Sequence, residues 1–367
     1  MPVVTTALLC CVLSAPPIVE KKSSKDWTVD LEVHVRAARR EVLPGDREVC
    51  TEVLNLENTP VVFPVIPEGP SHETDPEKIT SEIRLSDRLV NVKTNVVGGY
   101  PLHTSLFTWN IKKFNGYEFS FSIKQNITCY DINIRRDIAA ELPWPDKWPT
   151  SVADALKPQL FIESDDKGIH KLVDRWTNKN VRSVPPYIAA KAITGQVIQY
   201  VQKSGKNWKN DERGRFAGFD VQGAKYMLHN HKGTENDIVC FHVACLRAAG
   251  IPARPVIAMD ARKKEFTVWS EFYLYDKERD EGVWIPIDII GLRRRSSRAG
   301  DIDRPWKGFA QMDDLDFYIP LAYHFHPPTA VINAGPPALW GWDPRPEARP
   351  AEQYLTWQVY RTAKRGR

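Results

Sequence analysis

The chain has 367 residues, 42% of them hydrophobic, which is enough to bury two ordinary cores and makes two domains the expectation. Its 50 basic and 46 acidic residues leave a formal charge of +4, far from the one-sided basicity of a chain built to neutralise a phosphate backbone, so charge does not indicate nucleic acid and none is expected as a partner. Cysteine is too sparse for a disulfide scaffold.

Residues 1–26 read as a signal-like leader and linker. Val3 to Ala15 form an apolar run that ends in small residues before Pro16-Pro17, the length of a signal-peptide core and too short to span a bilayer, although Met1-Pro2 supplies no basic start. The expectation is export to the periplasm, cell surface or medium, with no transmembrane helix. Between residues 27 and 135 short runs alternate apolar and polar residues, as in Val29 to Val35, Phe107 to Ile111 and Tyr117 to Ile123, with turn signals at Pro44-Gly45 and Gly98-Gly99. That period predicts an antiparallel β-sandwich. Residues 136–158, rich in Pro and Trp, cannot continue a helix or an inner strand and read as a linker.

Helical spacing begins in the segment 159–334. Ser164-Asp165-Asp166 offers capping oxygens ahead of Ile169, Leu172 and Trp176, and Ile193, Val197 and Val201 mark one face of a helix from Tyr187 to about Gln202. A third helix runs from Glu235 to Ala249, stopped by Gly250 and Pro252. Strands are expected over 254–259, 265–275 and 283–289. Residues 335–367 read as a Pro-rich tail. The fold class is therefore α+β: helices packed on an antiparallel sheet, preceded by an all-β sandwich.

Three segments stand in a telling order: Gly233 to Asp237 leading through a helix to Arg247-Ala-Ala-Gly-Ile-Pro-Ala-Arg254, then Thr267-Val-Trp-Ser-Glu271, then Trp284-Ile-Pro-Ile-Asp288. In order and spacing they resemble the cysteine, histidine and aspartate motifs of the transglutaminase-like superfamily, over roughly residues 155 to 295. The resemblance implies a papain-like core in which a thiolate at a helix N-terminus attacks an amide carbonyl, helped by a histidine that an aspartate orients. Carried over residue by residue, the cysteine position is Glu235, the histidine position Thr267 and the aspartate position Asp288. Threonine cannot take a proton near neutral pH and a carboxylate is a poor acyl nucleophile, so the expectation is a catalytically degenerate module that binds or supports. Trp269, Glu271 and Arg254 are its candidate binding residues, and a protein or peptide is the partner class open to it. The alternative is an active cysteine-type protease, amidase or amide-transferring enzyme that uses displaced residues such as Cys240.

Glu235 also has a structural reading, because Thr234 and Asp237 resemble a capping box that makes Glu235 the first helical residue, favoured there by the helix dipole. A third reading makes Glu235, Thr267 and Asp288 an acidic cleft for a cation, an amine or a sugar hydroxyl. Cys240 and Cys245 lie on one helix about 140° apart and read as core residues. Cys50 and Cys129 fall in strands and could pair or remain free thiols. His324 and His326 alternate as on a strand and could serve together as metal ligands, with two exposed strand histidines the favoured reading, while His229-Asn-His231 stands in a loop without a convincing ligand set, so neither a metal nor a cofactor is expected. Arg293, Arg294, Arg295 and Arg298 follow Asp288, as a solvated loop or a seat for an acidic partner.

Overall fold

The computed structural model describes residues 17–37, 40–44, 47–50, 53–65, 68–74, 79–86, 88–90, 95–295, 304–331, 335–343 and 351–362. The expected leader core, Arg298 and the Cys50 side chain lie outside the described residues. In chain order the first part comprises β1 (Val19–Ala37), β2 (Arg40–Leu43), β3 (Arg47–Cys50), β4 (Leu54–Pro64), β5 (His72–Thr74), β6 (Thr80–Leu85), β7 (Arg88–Val90), β8 (Asn95–Tyr100), β9 (Thr104–Gly116) and β10 (Glu118–Ile134). There follow α1 (Arg136–Ala139), α2 (Lys167–Trp176), α3 (Pro186–Tyr200), β11 (Gln202–Lys203), β12 (Trp208–Asn210), β13 (Phe216–Phe219), α4 (Ala224–Asn230), β14 (Lys232–Gly233) and α5 (Glu235–Ala248). The chain closes with β15 (Ala253–Asp260), β16 (Glu265–Asp276), β17 (Glu281–Ile287), α6 (Ile289–Arg294), β18 (Tyr318–Ala322), β19 (Gly341–Trp342) and β20 (Ala351–Arg361). The fold is α+β with antiparallel sheets. No described helix is long and apolar enough to cross a membrane.

Two sheets make the β-rich part, one ordered β20-β1-β10-β6-β7 with β5 beside β10, the other β19-β4-β9-β8. Alternation sets which side is buried: on β1, Val29, Leu31, Val33 and Val35 are buried, and Leu31, Val33 and Val35 pair with Ile123, Phe121 and Phe119 of β10. Phe63 of β4 and Trp109 of β9 meet Phe121 across the gap, with ring centres 6.1 and 5.8 Å apart. The two sheets thus face each other around an aromatic core.

Two stretches differ from the sequence reading. β1 opens at Val19, ahead of the expected boundary at 27, because its first residues are polar and mostly exposed and so carry no alternation. The expected tail holds β20, antiparallel to β1 from Trp27↔Arg361 to Ala37↔Ala351. Three consecutive buried residues, Gln353, Tyr354 and Leu355, break the period by which a strand is recognised there.

The core sheet is ordered β17-β16-β15-β18. One face of β16 packs on α5: Ser270 Oγ lies 2.7 Å from His242 Nδ1, and Phe272 and Leu274 are fully buried. The opposite face carries a second small core of Val256, Ala258, Trp269 and Tyr323, closed by Leu102 from the β-rich part and Ala155 from the linker. The linker is fastened by its indoles, Trp144 donating to the carbonyl of Val184 at 2.7 Å and Trp148 to that of Gly250 at 2.9 Å.

Candidate functional site

Helix α5 begins on a full capping box. The Thr234 hydroxyl accepts from the Asp237 amide at 3.2 Å, and the Asp237 carboxylate accepts from the Thr234 amide at 2.9 Å. Glu235 is therefore the first helical residue, at the positive end of the helix dipole. Its carboxylate is held by three donors: Lys203 Nζ and Arg294 Nη2 on Oε1 at 2.7 and 2.8 Å, and Asn207 Nδ2 on Oε2 at 2.7 Å. Asn207 clamps the same turn a second time, its Oδ1 accepting the Glu235 backbone N–H at 3.1 Å. An N–H at a helix N-terminus is the kind of donor that can hold an oxyanion, and here a side chain occupies it. Burial pushes the Glu235 carboxyl upward, but Lys203, Asn207 and Arg294 together outweigh it, and the group lies below the ordinary glutamate value.

Asp288 caps α6, its Oδ1 accepting from the Gly291 amide at 2.8 Å, with Arg295 at 3.5 Å from Oδ2. Thr267 lies half-buried on β16 opposite Ala258. Among the described residues no hydrogen bond or ion pair joins Glu235 to Thr267 or to Asp288. The two carboxylates engage opposite ends of α6: Asp288 caps its first turn, and Glu235 accepts from Arg294, its last residue. Each carboxylate has a basic neighbour, Arg294 on Glu235 at 2.8 Å and Arg295 3.5 Å from Asp288. The arginine run is likewise engaged: Arg293 donates to the carbonyl of Val201 at 2.7 Å, Arg294 holds Glu235, and Arg295 bridges Asp288 and the carbonyl of Lys307.

Arg254, Trp269 and Glu271 come together on the sheet face opposite α5. The Arg254 guanidinium lies between the rings of Trp284 and Tyr323, 4.0 and 3.7 Å from their centres, and its Nε donates to Glu271 Oε2 at 2.8 Å. Trp269 Nε1 donates to Glu271 Oε1 at 3.3 Å. Arg247 is spent on structure, reaching the carbonyls of Ala253 and Lys157 and the side chain of Gln159.

Cys240 and Cys245 are fully buried on α5, and burial pushes both thiols well above the ordinary range. Cys129 is buried and free. His324 and His326 approach the carbonyls of Pro101 and Val331, both at 3.1 Å. Sequence reasoning missed Lys203, which reaches α5 because β11 pairs in parallel with β14, and Asn207, which stands just ahead of β12. It also missed the chain Thr194, His242, Ser270, which is buried between α3, α5 and β16.

Residues 177–289 match the model of the transglutaminase-like superfamily. The second part of the chain carries a transglutaminase-like core. A crystal structure from Cytophaga hutchinsonii, described as a "putative cysteine protease", is similar over 95% of this chain and 94% of that one, at 12% identity and a TM-score of 0.57. At that identity the likeness is one of fold, and it takes in the β-rich part as well as the transglutaminase-like core. Red sea bream transglutaminase aligns with 64% of this chain and 48% of its own, at 13% identity and a TM-score of 0.25. No curated protein matches the chain.

Proposed function

We propose that the transglutaminase-like core has lost thiol chemistry at its nucleophile position and serves as a binding or structural module. The observation that carries this reading is the state of Glu235: a carboxylate with three donors on it and an asparagine on its own N–H. A nucleophile needs a free lone pair and an adjacent base, and an acyl intermediate needs open oxyanion donors. Cys240, the thiol nearest in sequence, has no solvent exposure and a raised pKa, which speaks against a displaced cysteine enzyme. The activity that the name of the Cytophaga hutchinsonii neighbour suggests would have to come from other residues in this chain.

The test is an assay of peptide-bond hydrolysis, amide hydrolysis and amine transfer to glutamine. It is run on the wild type, on Glu235→Cys with Thr267→His, and on Cys240→Ser. The wild type is expected to be silent, and any activity should appear only in the double variant. Wild-type turnover abolished by Cys240→Ser or by an alkylating agent would sink the proposal.

A further inference from the structure

On the far side of the core sheet from α5, a cavity of about 500 Å³ opens between the two parts of the molecule. Its walls are largely apolar: Val65, Ile79, Val96 and Leu102 from the β-rich part, Trp284 and Tyr323 from the core, with Arg254 among them. The volume is in the range of roughly 300–1,000 Å³ that holds small ligands, and an apolar wall with a few convergent polar groups is the usual composition of such sites.

Arg254 decides the chemistry. Its side chain is 4% exposed, and the flanking rings of Trp284 and Tyr323 leave only the edges of the guanidinium plane open to hydrogen bonding. Glu271 takes the Nε edge. Nη2 lies 2.7 Å from Glu271 Oε2 but has no acceptor in bonding geometry. Of five N–H donors, Nε–H alone is satisfied by a described residue. The acceptors beside it are in use, Oε2 of Glu271 by Arg254 and Oε1 by Trp269. The buried polar capacity left at the cavity is therefore that of a donor. A fixed guanidinium fork with spare N–H groups matches a carboxylate, and the walls match an apolar or aromatic body. Glu271 already balances the charge of Arg254, so an entering carboxylate would be held by the spare N–H donors rather than by net charge, and Glu68, the other carboxylate at the cavity, is exposed to solvent, where its charge is screened.

We infer that this cavity binds a carboxylate carried on an apolar or aromatic body, with Arg254 as anchor and Glu271 and Trp269 as the residues that position it. The inference does not rest on lost chemistry at Glu235, because the cavity and α5 lie on opposite faces of the sheet. The carboxylate can belong to a free organic acid or to the C-terminus of a peptide.

Calorimetric titration of the whole chain with 4-phenylbutyrate, 4-phenylbutanol and 4-phenylbutylamine tests the charge requirement. The acid should bind at least tenfold more tightly than the alcohol or the amine. Short peptides ending in phenylalanine, with a free or an amidated terminus, separate the sources: tighter binding of the free-terminus peptide than of 4-phenylbutyrate assigns the site to chain ends, the reverse to free acids. Arg254→Lys should weaken the acid at least tenfold. Since that change touches a buried ion pair, Val96→Trp serves as the second variant. Val96 is 57% exposed on its strand, so a larger ring there fills the cavity mouth without disturbing the core, and binding should be lost with the melting temperature unchanged. Absence of binding by both acid and free-terminus peptide, equal binding of acid and alcohol, or binding that survives Val96→Trp overturns the inference.

Discussion

A glutamate at the start of α5 answers two demands at once, the dipole of the helix below it and the cations around it. Lys203 and Arg294 are 43% and 69% exposed at their side chains, so solvent screens much of their attraction, while the Glu235 side chain is 13% exposed. Glu235→Gln keeps the shape and loses the charge, and should cost about 1 kcal/mol in urea unfolding at pH 7. The sign with pH follows from the depressed carboxyl. Its stabilisation is fully present above the ordinary glutamate value of 4.5 and fades as pH falls through the lower folded value. The gap between wild type and variant should therefore narrow as pH falls below 4.5 and through the lowered folded value. A gap independent of pH would mean that the charge is idle. The positions Glu235, Thr267 and Asp288 rest on a count along one helix and two strands, and those residues do open α5, lie on β16 and cap α6. Lys203 and Asn207 leave no periodic trace, because a two-residue parallel pairing between β11 and β14 brings in the first and an irregular stretch before β12 the second.

The elements α3, α5 and β16 meet at His242, which is fully buried between the hydroxyls of Thr194 at 3.0 Å and Ser270 at 2.7 Å. Burial pushes its imidazole down to about 3 from an ordinary 6.5. Unfolded chains thus take up a proton through that window which the folded protein refuses, so stability falls as pH falls from 6.5 toward about 3, by up to about 1.4 kcal/mol per pH unit. Both hydroxyls keep another acceptor without the ring: Thr194 on the carbonyl of Ala190 and Ser270 on that of Ile287. His242→Leu should therefore lie within about 1 kcal/mol of wild type at pH 7 and become the more stable of the two by about 2 kcal/mol near pH 5. Urea midpoints at the two pH values check this, and parallel pH profiles would refute it. Helices α2 and α5 were legible from their capping side chains, α3 from apolar residues at helical spacing, and strands β15 to β17 from runs that alternate or are continuously apolar. The ends of the first sheet were not. The first residues of β1 and the consecutive buried trio of β20 obey neither period, and only their mutual pairing makes them strands.

At the scale of the whole molecule, that pairing turns a chain that reads as successive domains into one closed body. β20 returns from the far end of the sequence to lie on β1, and its Trp357 packs on Phe266 and Phe216 of the core, with ring centres 5.3 and 6.2 Å away, while donating to the carbonyl of Lys264. From the other end of the chain, Trp27 donates to the carbonyl of Asp316 at 2.8 Å, and Ser23 and Lys25 hold the carboxylate of the same buried residue. The second core around Trp269 needs Leu102 and Ala155 to close it. A fragment of residues 159–334, the unit expected from sequence, would keep its helices and sheet yet expose Phe216, Phe266 and the Trp269 face to water. It should behave as a compact state without fixed packing: helical in the far ultraviolet, featureless in the near ultraviolet, and binding a hydrophobic dye. The whole chain should instead unfold in one transition, followed equally by both spectral regions. A soluble fragment with sharp near-ultraviolet bands and its own cooperative melt would show that the core stands alone and that the closure by β20 is dispensable.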